Sequence, residues 1–445
     1  MSIRKLTRRD FLTTSIMATG GITLSACGSN TPATAAAPTA AAGGAAPGPR
    51  TEAQFLNEAV GSKEEGRTYL LAAFNAANDQ IHVNHEGYGG ADTVHQKFLT
   101  SLSGGVTPDL YHNEANYIPG YVEMDALTDL GPYLEASTRI SKADILPHPL
   151  DLCTYEGKIY GIPFWQDAVQ LYYNKDLLQQ AGLDPEAPPR DWPALAAAAK
   201  AIVKRDSSGK LEVAGLALDS WSIIRVFQAA LYGWGGTMLS ADGKKSAFNS
   251  AEGAGALQTL VDLILKDKLG EVGWGSEFED TPDEPFIAGK QGFMFDVPAA
   301  AKRIQRNRPE FQNWGTVGLP AGPKGFAEVS RPPALMIPKS AKNKDQAWRV
   351  IEYWLDTKVM VRWALDILRA PTTVSASADE ALGQSKVVSS LVESLKNTVD
   401  TPKTKHWAEL FDTLGAELEL ALGGTKTPEQ ALGDAAATLD KVLNT

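Results

Sequence analysis

Beyond residue 50 the chain alternates short strand-like runs with longer helix-like runs to its end, and that order admits few architectures. Alternation of this kind builds α/β layers, a sheet with helices packed over it. Strand candidates fall at 81–84, 109–111, 169–173, 215–218, 292–295 and 333–337. Among the helices, Ser250 can cap a segment whose Leu257, Leu260, Val261, Ile264 and Leu265 share one stripe, and Ala347, Trp348, Ile351, Trp354 and Leu355 form another. Thr427-Pro428-Glu429-Gln430 supplies an N-cap, a proline at the first helical position and a glutamine at the capping-box position, which predicts a helix over 428–443. The stretch from 51 to 445 exceeds the roughly 250–300 residues that one hydrophobic core serves, so two lobes are expected.

The first 27 residues fix the compartment. TRRDFL at 7–12 opens an apolar run that ends in LSAC at 24–27. A paired arginine ahead of a short hydrophobic segment is an export address, and the run is too short and too rich in Thr and Gly to span a bilayer. The twin-arginine form implies export of a folded protein. LSAC resembles the bacterial lipobox, so residues 1–26 read as a signal peptide and Cys27 as a lipid-bearing N-terminus; the bland alternative is an ordinary signal peptide with Cys27 as a small apolar residue. Residues 27–50, rich in Ala, Pro, Thr and Gly, read as a flexible tether that cannot bury enough apolar surface to order itself. The protein is then exported and lipid-anchored outside the cell membrane or in the periplasm.

Composition narrows the partners. With 43% hydrophobic and 21% charged residues the body is ordinary and globular. A net charge of −11 argues against nucleic acid and against adhesion to an anionic membrane surface. Of the two cysteines only Cys153 remains once Cys27 carries lipid, so no intramolecular disulfide is expected, and Cys153 reads as a buried small hydrophobe.

GKIYGIP at 157–163, followed by LYYNKDLL at 171–178, closely resembles the solute-binding lipoproteins of ABC importers, in the maltose-binding-protein-like subfamily known as extracellular solute-binding protein family 1. PDL at 108–110, AGKQGFM at 288–294, GLP at 318–320, PKSAKN at 338–343 and TPEQAL at 427–432 match the family in order. The resemblance runs from about Ile81 to Leu443 and is weakest over 50–80, where the family's first strand is hard to place. It implies an α/β, two-lobe, type II periplasmic-binding-protein-like fold. One lobe would comprise 51–166 plus 318–369, the other 167–317 plus 370–445, with hinges near 166–169, 316–319 and 369–372. It further implies a monomer that captures a carbohydrate between the lobes and delivers it to a membrane permease, with neither cofactor nor metal.

A sugar has apolar C–H faces and hydroxyl edges, so its site needs aromatic platforms beside carboxylates, amides or arginines. Trp165, Gln166 and Asp167 supply all three at an expected hinge. Alternatively Trp165 packs a lobe core and Asp167 is solvated. Trp221 and Trp234 stand where the family places cleft residues. Asp296 stands where relatives carry a Gly-Pro-Trp stretch, and this chain has Asp296-Val297-Pro298 instead. Trp407 matches a cleft aromatic but can equally be helix core, since Leu410 and Leu414 continue its stripe. Asn113 and Glu114, in a loop after the 108–110 strand, and Glu58, after the first strand, are further candidates. Arg331 and Arg369 flank strand or hinge ends, either solvated at the surface or gripping a hydroxyl pair, a carboxylate or a phosphate.

The chain carries no phosphate loop, no Gly-x-Ser-x-Gly elbow, no His-Glu-x-x-His and no CxxC. His82 and His85 would face opposite sides of a strand. The acidic run Glu277, Glu279, Asp280, Asp283 and Glu284 lacks EF-hand spacing and reads as a solvated loop. A non-enzymatic receptor is therefore expected. The competing expectations are the same receptor role for an anionic or other small polar solute, such as a glycerol phosphodiester or a sugar acid, and a secreted polysaccharide-degrading enzyme.

Overall fold

The computed structural model describes residues 50–58, 62–218, 222–278, 281, 284–399 and 401–444. The signal segment, Cys27, nearly all of the tether and Trp221 lie outside the described residues. Strands run β1 (Thr51–Glu58), β2 (Ile81–Tyr88), β3 (Leu110–Glu114), a small hairpin of β4 (Thr154–Tyr155) and β5 (Lys158–Ile159), β6 (Ile162–Pro163), β7 (Gln170–Asn174), β8 (Lys204–Arg205), β9 (Leu211–Ala217), β10 (Gln291–Asp296), β11 (Trp314–Val317) and β12 (Pro333–Met336).

Two five-stranded sheets result, ordered β2-β1-β3-β12-β6 and β11-β7-β10-β9-β8. In the first, β1 pairs in parallel with β2 and β3, while β12 is antiparallel to both β3 and β6. Since β12 follows every strand of the second sheet in the chain, the first sheet cannot be completed until the second has been traversed. The two lobes are interleaved, not strung in sequence.

Strand burial follows from what covers each face. In β1 and β2 the inward Ala53, Phe55, Ile81 and Val83 are buried while Gln54 and Asn84 are exposed, the period-two signature of a sheet near its edge. The central strands β7 and β10 are buried at every position, as strands covered on both faces must be. The helix Trp192–Ile202, capped by the Asp191 carboxylate accepting from the Ala194 amide, lies so close over β9 that a Cβ on Gly215 would stand 2.2 Å from the Ala199 carbonyl oxygen. The helix Pro428–Val442 starts on the expected capping box, with Thr427 and Gln430 each bonding the other's backbone amide.

The chain passes between the sheets at the expected 166–169 segment and again between β11 and β12. Near the first crossing Gln166 and Ala370 exchange backbone hydrogen bonds of 2.8 and 3.0 Å, so two connecting segments are laced together. A third passage is expected near 369–372. Thr373 bridges to Ile145 and the helix Val374–Ser377 still packs on the helix Thr357–Ile367 of the first lobe. The helix Lys386–Ser394 lies on β11 of the second sheet. Cys153 is buried without a disulfide, and burial holds its thiol well above the usual range.

Candidate functional site

Where the two sheets face each other, ionic side chains from five elements converge. Glu114 ends β3 and Asp167 follows β6, both on the first lobe or its crossing. Arg369 follows the helix Thr357–Ile367, turned by Leu368 in the left-handed region (φ 54°). Arg331 precedes β12. From the second lobe the helix Ile223–Gly233 presents Arg225 and, one turn on, Gln228.

Arg369 is 1% exposed and its Nε donates to Asp167 Oδ2 at 3.1 Å. Arg225 Nη2 donates to Glu114 Oε1 at 3.0 Å and its Nη1 lies 3.9 Å from Asp167 Oδ1, so one guanidinium of the second lobe ties two carboxylates of the first. Arg331, 2% exposed, donates from Nη2 to Gln228 Oε1 at 3.1 Å. Its guanidinium carbon sits 4.8 Å from the ring centre of Trp407 and 4.6 Å from that of Phe411, residues i and i+4 on the helix Trp407–Leu422. Desolvation and the neighbouring Arg225 push Arg331 down to about 9. Three arginines thus meet two carboxylates.

The residues expected from sequence divide. Asp167, Gln166, Glu114, Arg331, Arg369 and Trp407 lie in this cluster or on its border; Gln166 Nε2 donates to the Pro371 carbonyl at 3.2 Å. Trp165 is a lobe-core residue: it is 1% exposed and packs on Phe164, Trp363 and His112 with ring centres 4.2, 5.6 and 5.1 Å away. Asn113 and Glu114 belong to strand β3 itself and not to a loop after it. Asn113 turns inward, its Nδ2 donating to Tyr111 Oη at 2.8 Å in a cluster that also holds Tyr121 and His95. Asp296 is held by Arg303 at 2.7 Å, which also grips Glu284 at 3.1 Å, so one end of the acidic run is an internal ion-pair partner. Glu58 is occupied through its backbone, with its amide donating to His112 Nδ1 and its carbonyl accepting from Arg67. Trp234 lines a separate cavity of roughly 400 Å³ with Trp192, Asp191 and Asp267. The sequence reading missed Arg225, Gln228 and Phe411. The signal for the first two was an arginine and a glutamine set into the otherwise apolar run Ile223-Ile224-Arg225-Val226-Phe227-Gln228-Ala229-Ala230-Leu231, where polar side chains need a buried reason.

Three residues before Arg331, Glu328 is wholly buried, and its Oε2 has no partner among the described residues. Burial pushes its carboxyl up to about 8, against the pull of the Val329 and Leu319 amides. With a folded value raised above the ordinary 4.5, the unfolded chain releases this proton first, so stability falls as pH rises from about 4.5 to about 8. Glu328→Gln is therefore expected to raise the thermal midpoint over the parent by an increment that is small at pH 4.5 and grows towards pH 8; scanning calorimetry across that range would show a flat increment if the group stayed ionised when folded.

Among the described residues no group of three or more His, Cys, Asp or Glu is placed to hold a metal ion, and no helix is long and apolar enough to cross a membrane. The family model of bacterial extracellular solute-binding proteins matches residues 69–388. The maltodextrin-binding protein MdxE of Bacillus subtilis is 23% identical over 339 residues, 74% of this chain and 76% of that protein. An uncharacterized lipoprotein of Streptomyces antibioticus is 28% identical over 323 residues, 70% of this chain and 68% of its own. The maltose-bound MalE3 structure of T. maritima superposes with a TM-score of 0.75 at 25% identity, covering 88% of this chain and 99% of that one.

Proposed function

The chain belongs to the bacterial extracellular solute-binding protein family, and from that membership we propose that it is the substrate-binding receptor of an ABC importer, which takes a carbohydrate between its two lobes and hands it to a membrane permease. The observation that carries the reading is the cluster of Glu114, Asp167, Arg225, Arg331 and Gln228, drawn from both lobes and flanked by Trp407 and Phe411. Carboxylates and guanidinium groups pair with sugar hydroxyls, and the face of an aromatic ring suits the C–H face of a sugar. Relatives support the class: one is a maltodextrin-binding protein and another was solved with maltose. Both carboxylates are engaged by arginines, whereas glycoside hydrolysis requires one carboxyl free to donate a proton; the receptor delivers its ligand unchanged.

In this reading the protein acts as a monomer. One lobe is 51–166 with 318 to about 385, and the other is 167–317 with about 386 to 445, because the segment after Arg369 stays with the first lobe's helices. Ligand bound to both lobes favours the closed arrangement. A thermal-shift screen against neutral, acidic and phosphorylated mono-, di- and oligosaccharides tests the proposal, since a ligand of the folded state raises the midpoint by mass action. A panel with no shift contradicts it.

The N-terminal reading extends it: the twin-arginine signal exports the chain and Cys27 takes the lipid that tethers it outside the membrane. The Streptomyces antibioticus relative is itself described as a lipoprotein. Cys27→Ala is expected to move the protein from the membrane fraction to the soluble exported fraction; unchanged membrane recovery counts against the anchor.

A further inference from the structure

Two hydrogen-bond donors in the cluster have nothing to donate to. Arg331 Nε and Gln228 Nε2 are buried and have no partner among the described residues, although the two side chains are bonded to each other through Nη2 and Oε1 at 3.1 Å. Both residues are more than nine-tenths buried, at 2% and 0% exposure. A buried donor left without an acceptor is costly, and natural structures keep few of them. These two come from different lobes, since Arg331 leads into β12 of the first sheet and Gln228 lies on a helix of the second lobe. Parting of the lobes would uncover them together.

The charge count points the same way. Arg225 is paired with Glu114 and approaches Asp167, and Arg369 is paired with Asp167. Arg331 makes no ion pair among the described residues and rests instead on the π faces of Trp407 and Phe411. A desolvated guanidinium without an anion is the costly half of a buried ion pair. The depression of Arg331 towards 9 by burial and by Arg225 still leaves it charged at neutral pH.

We infer that the ligand of this site is an anionic saccharide, whose negative group is received by Arg331 and Gln228. The inference rests on the carbohydrate-receptor reading and specifies the ligand's class. A neutral hydroxyl can accept from both donors, but only an anion also cancels the excess charge of the guanidinium. Guanidinium is the side chain suited to planar, bidentate capture of carboxylate or phosphate.

Calorimetric titration of the full chain with matched sets provides the test: glucose, glucuronate and glucose 6-phosphate; galactose, galacturonate and galactose 6-phosphate; maltose, maltobionate and maltose phosphate. In at least one set an acidic member should bind at least about tenfold tighter than its neutral partner, with the margin shrinking as salt is added. The carboxylate and phosphate members separate the two sources of charge. Arg331→Gln should bring the acidic member down to the neutral one's affinity, and Gln228→Leu, which keeps the cation, should narrow the margin without abolishing it. Neutral members binding as tightly as acidic ones in wild type would overturn the inference and leave the receptor reading intact. No binding by any member would overturn both.

Discussion

Arg369→Met is expected to lower the stability of the folded chain by about 3–5 kcal/mol, the usual consequence of removing one partner of a buried ion pair. Arg369 is 1% exposed and donates to Asp167 at 3.1 Å, while the next cation, on Arg225, stands 3.9 Å from the other carboxylate oxygen. Methionine fills much of the volume but leaves Asp167 charged and desolvated beside a single distant partner. The loss therefore comes from the carboxylate left behind more than from the missing contact. Asp167→Leu combined with Arg369→Met should recover a large part of it, because replacing a buried pair by apolar residues is often neutral. Urea unfolding followed by tryptophan fluorescence measures both. A single variant within about 1 kcal/mol of the parent would mean that solvent reaches Asp167 freely.

Arg225→Ala is expected to weaken ligand binding by at least about a hundredfold, which corresponds to roughly 3 kcal/mol. Its guanidinium, on a second-lobe helix, reaches Glu114 at the end of β3 and Asp167 at the first crossing. Without it the closed arrangement loses the cation between two carboxylates and faces Glu114 with Asp167 across a gap. The variant should fold, since Glu114 is partly exposed and Asp167 keeps Arg369. Calorimetry with the best saccharide of the thermal-shift screen measures the affinity, and the variant's midpoint without ligand should differ little from the parent's. Unaltered affinity would remove Arg225 from the binding account.

Much of the scaffold was legible in the chain because it rests on local rules. The capping box at Thr427, the cap at Ser250 and the runs that became β2, β3, β7, β9, β10 and β12 each announce themselves within a few residues. β1 did not, because Glu52, Gln54, Asn57 and Glu58 interrupt its apolar residues and its place is set by pairing with β2 and β3, thirty and more residues away in the chain. The candidate site was legible only in part. Residue type suggested Asp167, Arg331 and Arg369, but the direction of a side chain at a strand end is decided by tertiary packing. That is how Trp165 came to be spent on the aromatic core with Phe164 and Trp363, and Trp234 on another cavity. Arg225 and Gln228 were hidden for the opposite reason: they interrupt an apolar helix whose burial can be read from sequence, but whose facing partners lie more than a hundred residues away.

Hydrogen–deuterium exchange of the full chain, with and without the saccharide that raises the midpoint most, tests the central claim most directly. Binding between the lobes predicts added protection in segments of both at once: 111–117 and 165–169 on one side, 223–231 and 405–412 on the other, with 328–332 between them. Protection confined to one lobe, or centred on the cavity of Trp192 and Trp234, would contradict it.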